Sequence, residues 1–281
     1  MFRVEKMEVD DFPFAIQLAN TMNWNMSSED FEFMSKLEPQ GCFVLFHGSE
    51  RLGTATSVSF GKVGWFGNLI VKEEYRKKGA GTFLVKHAIE YLKSTGVETI
   101  GLYAYPHLIE FYKNFGFKPN ADFLIFQGKA VSSATERKLQ LREAKKQDIP
   151  ALMDFDCQCF GAYRKKLLEP ILLNRGNLCY LSAGDHEISG YVMAKVYEDM
   201  AEVGPLVCRQ NRVDVALALL QTILGKLRKL DIFICVPAAE TALLELLSKA
   251  GFRENFRVAR MFLGPAVAKN CTYIAESLER G

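Results

Sequence analysis

The chain has 281 residues, a net charge of +2, and 49% hydrophobic against 24% charged residues. This composition excludes a disordered chain, and also an overall field that would recruit nucleic acid or an anionic membrane. No apolar run reaches the roughly 18 residues that a spanning helix needs, and the opening MFRVEKMEVDDF holds acidic residues where a secretory signal has its apolar core. A cytoplasmic protein with neither a nucleic-acid nor a membrane partner is therefore expected.

In chain order, Phe2 to Met7 reads as a strand. Asp11 opens a helix with Pro13 in its first turn, and Phe14, Ile16, Leu18 and Ala19 help to make its apolar face. Ser27 or Ser28 caps a second helix with Phe31, Met34 and Leu37 on one side. Strands follow at Gly41–Phe46, Leu52–Phe60 and Val63–Val71, the last two joined by a Gly61-Lys62 turn. Thr82–Ser94 repeats apolar residues at helical spacing (Leu84, Ala88, Leu92) and stops at Gly96. A strand at Thr99–Ala104, a short helix at Leu108–Phe115 closed by Gly116, and a strand at Phe123–Gln127 complete the first half. The order β-α-α-β-β-β-α-β-α-β predicts an α/β (α+β) fold with a mixed sheet covered by helices.

The second half runs in the same order. Helical segments are predicted at Ile149–Phe155, Asp214–Leu230 and Ala239–Ala250, and strands at Leu178–Ala183, Ile188–Val196, Met200–Cys208, Ile232–Val236 and Arg257–Leu263. Asp148 and Pro150 lie 137 residues beyond Asp11 and Pro13, and Leu206 lies 137 beyond Leu69; Gly251-Phe252 lies 135 beyond Gly116-Phe117. Ordered matches at nearly one spacing mean two copies of one unit. The polar stretch Gly128 to Arg137 reads as the linker between domains at 1–130 and 138–281.

Seven scattered cysteines, odd in number and without a CxxC pair, argue against a disulfide framework. His47, His87, His107 and His186 form no ligand cluster, so no metal is expected.

The segment that carries chemistry is Arg76-Lys77-Lys78-Gly79-Ala80-Gly81-Thr82, between the strand ending Leu69-Ile70-Val71 and the helix that follows. Free N–H groups and the dipole of a helix start favour an anion there, the glycines let backbone come close to phosphate, and the basic residues add charge. The sequence has neither the Walker GxxxxGK[ST] nor the Rossmann GxGxxG. With Phe111-Tyr112-Lys113-Asn114-Phe115-Gly116-Phe117 downstream, RxxGxG resembles the acetyl-CoA motifs of the GCN5-related N-acetyltransferase (GNAT) superfamily. The resemblance is strong in the first half. In the second half, Asp156-x-x-x-Phe160-Gly161-x-x-Arg164 and Arg260-Met261-Phe262-Leu263-Gly264 look like the second domain of two-domain members. At the offset of 137, Gly79 and Gly81 become Ala216 and Ala218, and Lys77 becomes Asp214. A degenerate copy that does not hold coenzyme A in the usual mode is expected.

The resemblance implies an N-acetyltransferase that uses acetyl-CoA as co-substrate and acts on an amine of a small molecule or peptide. It implies coenzyme A contacts at Leu69, Ile70, Val71, Arg76, Lys77, Lys78, Gly79, Ala80, Gly81, Thr82, Tyr105 and Tyr112. It places a backbone N–H at Ile70 or Val71 on the thioester oxygen and the Tyr112 phenol as proton donor to the leaving thiolate. The strand Val63–Val71 lacks the glutamate that many members use as base, which leaves Glu29, Glu32, Glu110, a water chain or an acceptor of low pKa. Tyr105 replaces a frequent asparagine. Trp24, Asn25, Phe31 and Phe60 are candidates for the acceptor pocket, and exposed strand edges leave a homodimer open. The competing reading is a non-catalytic acyl-CoA-binding module.

Overall fold

The computed structural model describes all residues except 25, 131–138, 184–186, 266 and 268–270. Contacts divide the chain into two compact units: residues 1–102 with 262–265 and 280, and residues 103–261 with 266–279 and 281.

The first unit begins with β1 (Phe2–Lys6), which pairs antiparallel with β2 (Cys42–His47) after two helices, α1 (Phe12–Asn20) and α2 (Ser28–Leu37). Ser27 is the cap of α2: its side chain accepts from the Asp30 N–H while Asp30 reaches back to the Ser27 N–H. β3 (Glu50–Phe60) and β4 (Val63–Val71) form the expected hairpin. α3 (Ala80–Ser94) starts two residues before the predicted Thr82 and lays Leu84, Val85, Ala88 and Leu92 into the core. β5 (Thr99–Ala104) then runs parallel to β4.

In the second unit lie α4 (Ile109–Lys113), β6 (Lys118–Gly128), β7 (Leu141–Glu143), α5 (Ile149–Phe160), α6 (Lys165–Leu173), β8 (Leu178–Ala183), β9 (Ile188–Val196), β10 (Met200–Arg209), α7 (Val213–Lys226), β11 (Asp231–Pro237), α8 (Thr241–Lys249), most of β12 (Arg253–Leu263), and β13 (Cys271–Ile274). The strand order is β12-β6-β11-β10-β9-β8-β7, with β13 also on β10. β6, the closing strand of the first sequence copy, runs antiparallel to β11 of the second, from Phe123↔Pro237 to Ile232↔Gly128. Its Leu124 and Phe126 share a core with α7, β10 and β11. The sequence repeat and the compact units are thus cut at different places. Most of the expected linker falls on residues 131–138, outside the described residues.

The Asp-x-Pro pair that marks the repeat has one physical role in both copies. Asp11 accepts from the Glu8 N–H at 2.8 Å and from Arg51 Nε at 2.7 Å. Asp148 accepts from the Lys145 N–H at 2.7 Å and from both terminal nitrogens of Arg142 at 2.7 Å. Each carboxylate closes the turn before its helix, with proline in the first turn.

The motif Asp156-x-x-x-Phe160-Gly161-x-x-Arg164 resolves into a buried ion pair and a helix stop. Arg164 and Asp156 have no exposed side-chain surface and bond bidentately at 2.7 and 3.0 Å. Gly161 ends α5 at φ 87°, a left-handed conformation that suits glycine. Burial, the largest single influence, would lower the Arg164 pKa, but the charge and hydrogen bonds of Asp156 together with Tyr273 and Tyr191 outweigh it and hold the guanidinium above its ordinary range.

One disulfide, Cys159–Cys271, joins α5 to β13 across a sequence separation of 112. Scattered spacing does not disclose such a pair, because only the fold brings the partners together; Cys42, Cys157, Cys179, Cys208 and Cys235 are free thiols. Among the described residues no three His, Cys, Asp or Glu side chains are grouped to hold a metal, and no helix is long and apolar enough to cross a membrane.

Hydrogen bonding to Arg142 lowers the Asp148 pKa. Its stabilisation is therefore present above the ordinary carboxyl range and is lost as the pH falls through the depressed folded value. Asp148→Ala should cost about 1–2 kcal/mol at neutral pH. Thermal unfolding against pH should show the gap from wild type closing as the solution is acidified below about pH 4.

Candidate functional site

Trp65 sets where β4 and β5 part. The parallel register runs Val63↔Thr99, Gly64↔Ile100, Trp65↔Gly101, and ends there. A Cβ on Gly101 would meet the Trp65 ring at 2.2 Å, so glycine is required under the indole. From Phe66 to Val71, β4 continues with β3 on its other side.

A β-bulge lies in this stretch. Asn68 and Leu69 stand opposite the single residue Ala55, where the register shifts between Thr54 and Thr56. Asn68 is buried at φ 49°, donates from Nδ2 to Thr56 Oγ1 at 3.2 Å, and accepts at its carbonyl from Thr54 Oγ1 at 3.3 Å. Asparagine tolerates that left-handed conformation better than other non-glycine residues. Sequence reasoning passed over Asn68; the available signal was a lone amide inside an apolar strand.

Beyond the bulge, strand alternation fixes the direction of the backbone groups. The Lys72 N–H bonds to the Leu52 carbonyl of β3 at 2.8 Å. With period two, the Val71 N–H faces the opposite edge, where β5 has stopped pairing. Of the two candidates for the oxyanion donor, Val71 is the one whose N–H is aimed at the edge that β5 has left.

Residues 72–79 carry the chain from β4 to α3. Glu50 of β3 holds the start of this loop, accepting from Lys72 Nζ at 2.7 Å and Tyr75 Oη at 2.8 Å. Arg76 folds back, its Nε donating to the Val71 carbonyl at 3.0 Å. Lys77 and Gly79 both take positive φ, 57° and 88°, and Lys77, Lys78 and Gly79 are exposed. A Cβ on Gly79 would meet nothing within 4 Å, so this side of the loop is open. The Phe83 N–H makes a helical bond to the Gly79 carbonyl at 3.0 Å. The N–H groups of Ala80, Gly81 and Thr82 precede it and, as at any helix start, have no acceptor within their own helix. A helix start with two exposed lysines beside it suits an anion.

The second copy differs at this point. Only residues 210–212 separate β10 from α7. Arg212 bonds bidentately to Asp214 at 3.0 Å through two nitrogens, and Asp214 sits in the first turn of the helix. The Val215 and Ala216 N–H groups bond to the Arg212 carbonyl. The offset of 137 had put Ala216 and Ala218 in the loop; the shorter connection puts them inside α7, buried in the core. What differs is a missing loop and a helix start already facing its own carboxylate.

The other candidates divide by unit. Trp24 is half-buried in the first unit and packs, with Phe14, Met22 and Met26, against Leu18, Ala19 and Ile70. Asn25 lies outside the described residues. Phe31 is buried in α2, its ring 6.0 Å from Phe12, and Phe60 is buried too. Tyr105 and Tyr112 belong to the second unit. Tyr105 precedes a short 3-10 turn and lies 5.4 Å from the Phe256 ring. Tyr112 is buried on α4, edge-on to Phe111 and Phe117, and burial raises its pKa. Of the base candidates, Glu29 is exposed, Glu32 pairs with Lys36 at 3.2 Å, and Glu110 pairs with Lys113 at 2.7 Å.

The family model described as "Acetyltransferase (GNAT) family" matches residues 3–117, and that described as "Acetyltransferase (GNAT) domain" matches residues 152–274. Holothin acyltransferase of a Pseudoalteromonas strain is 22% identical over 279 residues, covering 97% of this chain and 92% of its own. A crystal structure of a Pyrococcus horikoshii protein of inferred acetyltransferase function superposes with TM-score 0.81 at 22% identity, over 100% of this chain and 96% of that one. A tandem GNAT protein from the clavulanic acid biosynthesis pathway superposes with TM-score 0.62 at 12% identity, over 95% of this chain and 100% of its own.

Asn68→Val places a β-branched residue at φ 49° and removes the bond to Thr56. It should cost about 2–3 kcal/mol in chemical denaturation. Asn68→Gly should cost less than half as much, because glycine relieves the backbone strain.

Proposed function

From the chain's membership of the GNAT acyltransferase superfamily, with two GNAT domains, we propose that it is a cytoplasmic N-acetyltransferase whose first copy binds acetyl-CoA and serves an amine of a small molecule or peptide. The observation that carries this reading is the exposed start of α3: Gly79 at φ 88° with clear space beside it, Lys77 and Lys78 exposed, and first-turn N–H groups at Ala80, Gly81 and Thr82 that have no acceptor within their own helix. These groups would hold the pyrophosphate.

When bound, coenzyme A supplies the activated acyl thioester. The roles proposed for the protein's own groups are these. The Val71 N–H, on the edge of β4 that β5 has left, is oriented to stabilise an oxyanion, and the Asn68 bulge fixes that orientation. Arg76 holds the Val71 carbonyl and so ties the anion loop to the strand end. Tyr112 retains its proton at neutral pH because burial disfavours the phenolate, which suits a donor to a departing thiolate. Trp24 and the methionines beside it offer an apolar surface against Ile70 for the acceptor. β4 carries no carboxylate in Val63–Val71, so an acceptor that is neutral near pH 7 meets the chemistry without a base on that strand.

Calorimetric titration of the full chain with acetyl-CoA should give one site per chain, because the second copy lacks the loop. Gly79→Ala forces alanine into a left-handed conformation and should weaken binding at least tenfold. A stoichiometry of two would refute the single-site reading, and no binding would refute the acetyl-CoA assignment. Tyr112→Phe should lower kcat for amine acetylation by about 10²–10⁴ with little change in the KM for acetyl-CoA. Unchanged kcat would remove Tyr112 from the mechanism, and binding without turnover on any amine would leave the non-catalytic module.

A further inference from the structure

The two copies share one strand break, and among the described residues a strand ladder fills it in the second copy alone. In the second unit β10 and β11 pair in parallel from Met200↔Asp231 to Val203↔Ile234 and then stop. A bulge follows at once: Gly204 and Pro205 stand opposite Met193, 137 residues beyond the bulge region of β4. β9 keeps its edge of β10 as far as Cys208↔Gly190. β13 takes the other edge, Leu206↔Ile274 to Arg209↔Cys271, and the Ala275 N–H bonds across to the Cys235 carbonyl of β11 at 3.2 Å. Cys208 stands where the first copy has Val71, so the edge that Val71 leaves open is here closed by a ladder.

The segment is seated by more than the ladder. Arg164 donates to Tyr273 Oη at 3.0 Å and to the Gly281 carbonyl at 2.9 Å. Lys195 of β9, itself buried, pairs with Glu276 at 2.7 Å. A Cβ on Gly204 would lie 1.9 Å from the Ala275 carbonyl oxygen, so the bulge is shaped to admit this backbone. At its leading end Cys271 is bonded to Cys159 of α5.

We propose that the edge of β10 at Leu206–Arg209 is a strand-binding site whose ligand is the chain's own segment Cys271–Glu276, latched by the Cys159–Cys271 bond and released on reduction. The response of the latch to thiols rests on the cytoplasmic reading proposed above; the seat, a ladder with its side-chain bonds, does not. A disulfide in a cytoplasmic protein is typically one that responds to thiols. A dithiol supplies two electrons: the Cys159–Cys271 S–S bond breaks, two protein thiols form, and the dithiol closes to its own disulfide. The ladder then holds only by its non-covalent contacts and opens more often.

Hydrogen-exchange mass spectrometry on the full chain tests this, with peptide mapping of the disulfide before and after treatment with a dithiol. On reduction, amides of 206–209 and 271–275 should exchange about tenfold or more faster, while 201–203 and 232–234, held by the parallel pair, stay as they were. Cys159→Ser should reproduce the change without reductant. Gly204→Ala should raise exchange at 271–275 with the bond intact. The proposal is overturned by two free thiols in the unreduced protein, by unchanged exchange once the bond is broken, by an equal rise along the whole chain, or by a silent Gly204→Ala.

Discussion

A parallel strand pair that breaks off after a short common stretch is the constraint on which both units depend. β4 and β5 separate beyond Trp65↔Gly101, and β10 and β11 beyond Val203↔Ile234. Each break leaves backbone donors and acceptors on a strand edge, which must be satisfied by something other than the next strand. In both copies a bulge follows in the first of the two strands, on the side of its antiparallel partner. The bulge turns the strand end and sets which residues aim their N–H groups at the vacated edge.

What meets that edge separates the copies. In the first, eight loop residues, 72–79, bring a helix start whose first N–H groups have no acceptor within the helix, and Gly79 at φ 88° has clear space beside it. In the second, residues 210–212 are too few for such a loop, and Arg212 with Asp214 satisfies the helix start internally. β13 covers the strand edge there. An anion would find the first helix start open and the second already opposed by a carboxylate. The divergence is electrostatic and topological, and the sheet scaffold is retained.

Several buried polar groups of the second unit converge on the segment from Cys271 onward. Asp156 accepts from Tyr191 at 2.5 Å and from Arg164, and Arg164 reaches Tyr273 and Gly281. A buried ion pair contributes little net stability, but it is costly to leave half made. This network therefore specifies where the segment lies more than how tightly the unit holds together. The sequence pattern from Asp156 to Arg164 owes its spacing to that geometry.

Local chemistry was legible from the residues alone. Helical spacing in α3, a cap at Ser27 or Ser28, the Gly61-Lys62 hairpin turn and the 137-residue repeat are properties of near neighbours or of self-similarity, and the glycines and lysines of residues 76–82 do stand at a helix start, where the anion site is proposed. The tertiary structure decided what depends on distant partners. β6 pairs with β11 because hydrogen-bonded edges are chosen in space, so the repeat boundary did not mark the edge of a compact unit. Pairing across 112 residues made Cys159–Cys271, which spacing cannot reveal. The role of Asn68 depends on a bulge that appears only when β3 and β4 are in register. The alanines at 216 and 218 changed meaning for the same reason: a fixed offset counts residues, whereas the length of the β10–α7 connection decides whether those residues line a loop or fill a core.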